Sequence, residues 1–236
     1  MAHPPLKNLR VAVTGGTSGL GLALVRALHA GGAQVAFVAR DAQRVALTAA
    51  SLPGTHGIAG DVSRKDQTHR IALQINAALG GLDVLVNNAS SLGPTPLQLL
   101  ADTDCEDLEA ALATNLVGPF RLTKALLGAL AAAAREGRPA RVVNISSDAA
   151  ITPYARWGAY GASKAALRHL SRIWDEELRE HGVRVIAIDP GDMDTPLHAA
   201  AVPDADPSTL KPPADAAREI IQWIVAPLRE TDAVPA

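Results

Sequence analysis

The stretch Val11-Ala12-Val13-Thr14-Gly15-Gly16-Thr17-Ser18-Gly19-Leu20-Gly21 decides the fold. Val11 to Thr14 is a short apolar run of the kind that forms a buried strand. Thr14 to Gly21 then holds four glycines in eight residues. Leu20 to Ala30 has the pattern of a helix stopped by Gly31-Gly32. A strand, a glycine turn and a helix make the first half of a βαβ unit. The turn lies at the carboxyl end of its strand, where open α/β sheets bind ligands. The helix N-terminus there offers free N–H groups and a positive dipole end to a phosphate. Glycines let the backbone approach a pyrophosphate. The spacing is neither G-x-G-x-x-G nor a P-loop, since no lysine follows a glycine here. A tight turn alone would also use glycine, but their number and place favour dinucleotide binding.

Working outward, short apolar runs alternate with longer helical patterns. Gln34 to Ala39 is a second strand, followed by a helix from Ala42 to Ser51 with Asp41 as its N-cap. Ile58 to Gly60 is a weak third strand, and Val84 to Val86 a fourth. Ser63 with Asp66, and Thr103 with Glu106, resemble capping boxes for the next two helices. The second of these is long, reaching toward Ala134. Val142 to Ile145 and Val183 to Ile188 are further strands, separated by a long helix from Tyr160 to Glu180. Pro212-Pro213 opens a last helix, with Pro227 as its stop. This alternation predicts an α/β fold: a doubly wound, Rossmann-like parallel sheet of six strands between two helical layers. Residues 1–236 are expected to form one domain. The proline-rich stretch from Val202 to Pro213 is too long for an ordinary connection, and a flap over a site, within 192–213, is expected.

Composition narrows the function. The chain has 236 residues, a formal net charge of -2 and 48% hydrophobic residues. That excludes disorder as the main state and offers no basic field for nucleic acid or a membrane surface. The longest apolar stretch, Ala125 to Ala134, lies between Lys124 and Arg135 and is too short for a membrane span. Met1 to Pro5 lacks the features of a signal peptide. Cys105 is the single cysteine, which excludes an internal disulfide and fits a cytoplasmic location. The histidines are scattered and no metal site is expected.

Two further groups carry chemistry. Arg40 ends the second strand, where an arginine favours the 2′-phosphate of NADP(H) over NAD(H). Asp41 sits near the spacing of an NAD-binding acid, but its place suits a helix cap. Tyr160 and Lys164 are four residues apart on one predicted helix and share a face. An ammonium beside the phenol would lower its pKa and make it a usable acid or base. Ser147, thirteen residues before Tyr160, ends the fifth strand. Ser146 points to the opposite side of the strand and is set aside.

Taken in order, these motifs resemble the short-chain dehydrogenases/reductases, in the branch made of one short domain. The resemblance rests on Thr14 to Gly21, Asp61-Val62, Asn87-Asn88-Ala89, Asn115, Ser147, Tyr160 with Lys164, and Pro190-Gly191 with Thr195. It implies transfer of a hydride between NADP(H) and a small carbonyl or secondary alcohol. Tyr160 would be the acid or base, and Ser147 would hold the substrate oxygen. Lys164 would lower the tyrosine pKa and bind the nicotinamide ribose. Asn115 would kink its helix and hold a water. Cofactor contacts are implied for Gly15, Thr17, Ser18, Gly19, Leu20, Gly21, Asp61, Val62, Asn87, Ala89, Pro190, Gly191 and Thr195, besides Arg40, Tyr160 and Lys164. A homodimer or homotetramer is implied as well.

The chain also departs from the pattern. Ser90 stands where the family often has glycine, and Asp192 and Asp194 make an acidic segment around Met193. Only Asp232 to Ala236 would be left for a seventh strand, and Pro235 suits an inner strand poorly. Asp148, Ala149, Tyr154, Trp157, Met193, Leu197 and His198 are candidate pocket residues, with the aromatic ones read first as packing. The alternative to an enzyme is an NAD(P)-binding regulator or scaffold without turnover, because fold alone proves no activity. A serine hydrolase is not supported, since Gly161 to Ala165 lacks the last glycine of G-x-S-x-G.

Overall fold

The structure is a computed structural model and describes residues 6–226. Six strands form one sheet: β1 (Arg10–Thr14), β2 (Gln34–Ala39), β3 (His56–Ala59), β4 (Val84–Asn87), β5 (Arg141–Ile145) and β6 (Arg184–Ile188). Their order is β3-β2-β1-β4-β5-β6, and every pairing is parallel. The predicted doubly wound sheet is present. The region of the seventh strand, and Pro227 as a helix stop, lie outside the described residues.

The inner strands are buried on both faces, while His56 and Gly57 of the edge strand β3 are exposed, and alternation divides the buried side chains between two cores. Val11, Val13, Val35, Phe37, Val143 and Ile186 face one layer, made of α1 (Gly19–Ala30) and α8 (Pro213–Val225). Ala12, Ala36, Val38, Leu85, Val142 and Val185 face the other. That side is covered by α3 (Thr68–Leu79), α5 (Gly118–Arg135) and α6 (Gly158–Leu178). Besides these, α2 (Ala42–Ser51) packs by β3, and α4 (Cys105–Leu112) runs into α5. With so few aromatics the layers close through aliphatic side chains, and Phe37 is fully buried among them.

Asp41 caps α2 as expected, its side chain accepting from the Gln43 and Arg44 amides at 2.9 and 3.0 Å. Neither capping box forms. Asp61 Oδ1 accepts from both the amide and the hydroxyl of Ser63, at 2.9 and 2.7 Å. This local turn takes the groups a cap would use, and α3 begins only at Thr68 after a 3₁₀ turn at Lys65–Gln67. Thr103 donates back to the Leu99 carbonyl at 3.0 Å, and Asp104 stands at the N-cap of α4 without a side-chain bond.

The long helix expected to reach toward Ala134 ends at Arg135. From Cys105 to Arg135 it runs 31 residues, apolar and long enough by composition to cross a bilayer. It serves instead as a core helix, with Leu122, Leu126, Leu130 and Ala133 against the sheet. A π turn at Ala113–Val117 divides it into α4 and α5.

At the lower edge of the sheet Asp83, fully buried, joins two arginines. It accepts from Arg10 Nη2 at 2.7 Å and Arg138 Nη2 at 2.5 Å. Charge pairing of this kind is what permits a carboxylate to be buried.

Candidate active site

The sheet order reverses between β1 and β4, so the loops leaving these strands diverge and open a crevice at their carboxyl ends. A cavity of about 710 Å³ fills it. The turn after β1 forms its floor. Gly15 has φ +71°, a conformation that favours glycine, and its missing side chain lets Asn88 and Ala89 come close. A Cβ at Gly21 would run into the Gly15 carbonyl oxygen, so the helix can approach the turn only with glycine there. Thr14 Oγ1 accepts from the Asn88 and Ala89 amides, each at 3.0 Å, and Asn88 Nδ2 donates to the Thr14 carbonyl at 2.8 Å. These bonds stitch the ends of β1 and β4 together. Ser18 stands at the N-cap of α1 with no side-chain cap bond, which leaves first-turn N–H groups for a ligand. The turn therefore fits a pyrophosphate.

Of the residues singled out for the cofactor, Gly15, Thr17, Ser18, Gly19, Leu20, Gly21, Arg40, Asp61, Val62, Ala89, Pro190, Gly191 and Thr195 line the cavity. Asn87 does not. Strand alternation turns it inward, where its Nδ2 donates to Asn144 Oδ1 at 2.8 Å, and Asn144 Nδ2 in turn donates to Ser171 at 2.8 Å. Its neighbour Asn88 takes the place at the cavity wall. Arg44, unremarked in the sequence, also borders the cavity and donates to the Thr17 carbonyl at 3.3 Å. No motif in the sequence marks it, because Arg40 lies before the Asp41 cap and the two do not share a helix face.

Ser147, Tyr160 and Lys164 meet at the same cavity. Tyr160 is 6% exposed. Lys164 Nζ donates to the Ile145 carbonyl at 2.7 Å and lies 5.4 Å from the centre of the Tyr160 ring. The expected lowering of the tyrosine pKa is not found. Burial pushes Tyr160 up to about 12, and Asp189 and Asp148 add to the rise against the opposing Ser147 and Ser90 hydroxyls. Burial also brings Lys164 down to about 8. Desolvation penalises both charged forms and is the largest cause of each shift.

Asn115 does not line the cavity, although Thr114 does. It lies in the π turn, and its carboxamide is fully engaged. Oδ1 accepts from the Ser91 amide at 2.8 Å and the Ser90 hydroxyl at 3.2 Å. Nδ2 donates to the Ser91 carbonyl at 2.7 Å and to Ser163 at 2.8 Å. It thus ties the loop after β4 to α6, one residue from Lys164. Ser90, the departure from glycine, takes part in this tie and lines the cavity.

The mouth is built by Asp148, Tyr154, Trp157 and the segment after β6. That segment is anchored at both ends. Lys211 N donates to the Asp192 carbonyl at 3.0 Å, and Asp194 N to the Lys211 carbonyl at 3.1 Å. Between them α7 (Pro196–Ala201) puts Leu197, His198 and Ala201 on the cavity wall. Tyr154 is 46% exposed, so it is not core packing, contrary to the first reading of its type.

A crevice at the strand-order reversal, a glycine-lined floor for phosphate and a buried tyrosine with lysine define a dinucleotide-binding α/β protein. The short chain dehydrogenase family model matches residues 10–206, and the chain belongs to this oxidoreductase family. It is 35% identical to serine 3-dehydrogenase of Agrobacterium fabrum over 78% of this chain and 72% of the relative. It is 32% identical to glucose 1-dehydrogenase of Gluconobacter oxydans, over 84% of this chain and 74% of that one. A short chain dehydrogenase of Escherichia coli CFT073, solved with NADPH, superposes with a TM-score of 0.84 at 25% identity, covering 96% and 94% of the two chains.

Proposed function

We propose that this protein interconverts a carbonyl and a secondary alcohol with NADP(H), using Tyr160 as the proton donor and acceptor. The observation that carries this is the meeting of Ser147, Tyr160 and Lys164 beside the glycine-lined crevice. The nicotinamide would supply or accept the hydride. Tyr160 gives its proton to the oxygen as negative charge develops there, and Ser147 donates a hydrogen bond to the same atom. At pH 7 the phenol is protonated, the form that reduction needs. Lys164 orients the tyrosine from beneath its ring and offers its remaining protons to the nicotinamide ribose. Asn115 positions the loop and helix around them.

Preference for NADP(H) is supported by two exposed guanidinium groups, Arg40 and Arg44, at the adenosine end of the crevice. Arg40 is exposed there, Arg44 is held beside it by its bond to the Thr17 carbonyl, and Asp41 is occupied by its helix cap. Segment 192–213 acts as a flap over the substrate. Exposed Cys105 suits the reducing cytoplasm as the location. A homodimer or homotetramer is supported by an apolar groove between the π turn, α5 and α6, lined by Leu116, Phe120 and Ile173.

The deciding experiment follows NADPH and NADH oxidation against a panel of ketones and aldehydes. Wild type is expected to prefer NADPH, Arg40→Ala with Arg44→Ala to erase that preference, and Tyr160→Phe to abolish turnover. Turnover unchanged in Tyr160→Phe, with protein still folded, would overturn the mechanism. A wild-type preference for NADH would overturn the cofactor assignment.

A further inference from the structure

We infer that Asp148 makes this enzyme select substrates bearing a hydrogen-bond donor, a hydroxyl or a protonated amine, on the carbon next to the reacting one. The inference rests on the carbonyl–alcohol reaction proposed above and goes on to name its substrate class. Asp148 follows Ser147 directly and lines the same cavity. Its Oδ1 accepts from the Ser147 hydroxyl at 2.9 Å and from the Ala149 amide at 2.7 Å. Its Oδ2 accepts from the Tyr154 hydroxyl at 2.7 Å. Each carboxylate oxygen can take two hydrogen bonds. In the free protein Oδ1 therefore holds two bonds and Oδ2 one, and when Ser147 turns its single proton to the substrate oxygen a place on Oδ1 opens as well.

Partial burial works against the charge of Asp148. The bonds from Tyr154, Ser147 and the Ala149 amide outweigh it and hold the carboxyl below its ordinary range. At neutral pH the group is thus ionised and can only accept. A substrate oxygen bonded to Ser147 stands one hydrogen bond from that carboxylate. A substituent on the adjacent carbon is then the group that meets Oδ2.

The surroundings agree. Besides His198, the cationic side chains among the described lining residues are Arg40, Arg44 and Lys164. The two arginines lie at the other end of the crevice, and Lys164 is buried beneath Tyr160, so no lysine or arginine supplies the missing partner. The rings of Tyr154 and Trp157 are 6.3 Å apart and those of Trp157 and Tyr160 5.7 Å. They form an apolar wall from the carboxylate to the reacting hydroxyl, suited to a short carbon frame. A substrate without a donor would cover the carboxylate without filling the place left open on it, and a carboxylate in that place would be repelled.

The test uses butan-2-ol with hydrogen, methoxyl, hydroxyl or ammonium on its third carbon, oxidised with NADP⁺. The hydroxyl or ammonium member should exceed the hydrogen and methoxyl members in kcat/KM by about tenfold or more. In Asp148→Ala the four should fall within about threefold of one another. Asp148→Asn keeps an acceptor but no charge, so it should retain a preference for the hydroxyl and lose one for the ammonium. Equal values in wild type, or a preference that survives Asp148→Ala, would overturn the inference. Should no alcohol be turned over, the same ratios are read as dissociation constants by calorimetry with NADPH present. A binding preference lost in Asp148→Ala would then uphold Asp148 and overturn the proposed reaction. No preference in binding would overturn Asp148.

Discussion

Replacing Lys164 by methionine should stabilise the cofactor-free protein at neutral pH while removing the cation from beneath Tyr160. Lys164 is 2% exposed, and burial lowers its ammonium from 10.5 to about 8. Keeping the charge there at pH 7 then costs about 3 kcal/mol. Methionine follows the same path without that cost. It forfeits the bond to the Ile145 carbonyl, which leaves a buried acceptor at a penalty of about 1–3 kcal/mol. The variant should therefore gain about 1 kcal/mol at pH 7. The sign follows from proton counting. Between about 8 and 10.5 the unfolded chain binds more protons at this residue than the folded one, so wild-type stability rises across that window. Below it both states are protonated and the full cost remains. The advantage of methionine should shrink above pH 8 and reverse by about pH 10. Urea denaturation of both proteins at pH 7, 8.5 and 10 measures this. A difference that stays constant across the three would refute the reasoning, because a purely packing effect does not titrate.

Asp83→Ala should cost about 3 kcal/mol in the same assay, since it leaves Arg10 and Arg138 converging on an empty place. Burial raises the Asp83 pKa, but the two arginines more than compensate and hold it below 3.8. Its contribution is thus complete above the ordinary carboxylate range and lost as the pH falls through the depressed value; an acid titration of wild type and variant should converge there. For the flap, hydrogen exchange of residues 192–213 should slow when NADPH and a substrate are added. An unchanged segment would count against a lid.

Much of the fold was legible because parallel strands buried on both faces read as continuous apolar runs, and glycine marks the turn between β1 and α1. Helix starts were less legible. Ser63 with Asp66 has the spacing of a cap, yet Asp61 captures the Ser63 amide and hydroxyl first. Asn87 and Asn88 are adjacent and chemically alike, and only the position of the strand end decides which one faces the crevice. Arg44 carries no motif of its own, and its place beside Thr17 depends on how α2 leaves the sheet.

By itself the sequence determined the layered α/β fold, the phosphate-binding turn and the pairing of Tyr160 with Lys164, since all three follow from periodicity and spacing along one chain. Tertiary structure decided how those groups ionise. The sequence could say that an ammonium and a phenol share a helix face, but not that both would be buried. Once β5, α6 and the Ser90 loop close around them, loss of water is the largest influence on each group. Tyr160 then rises to about 12 and Lys164 falls to about 8.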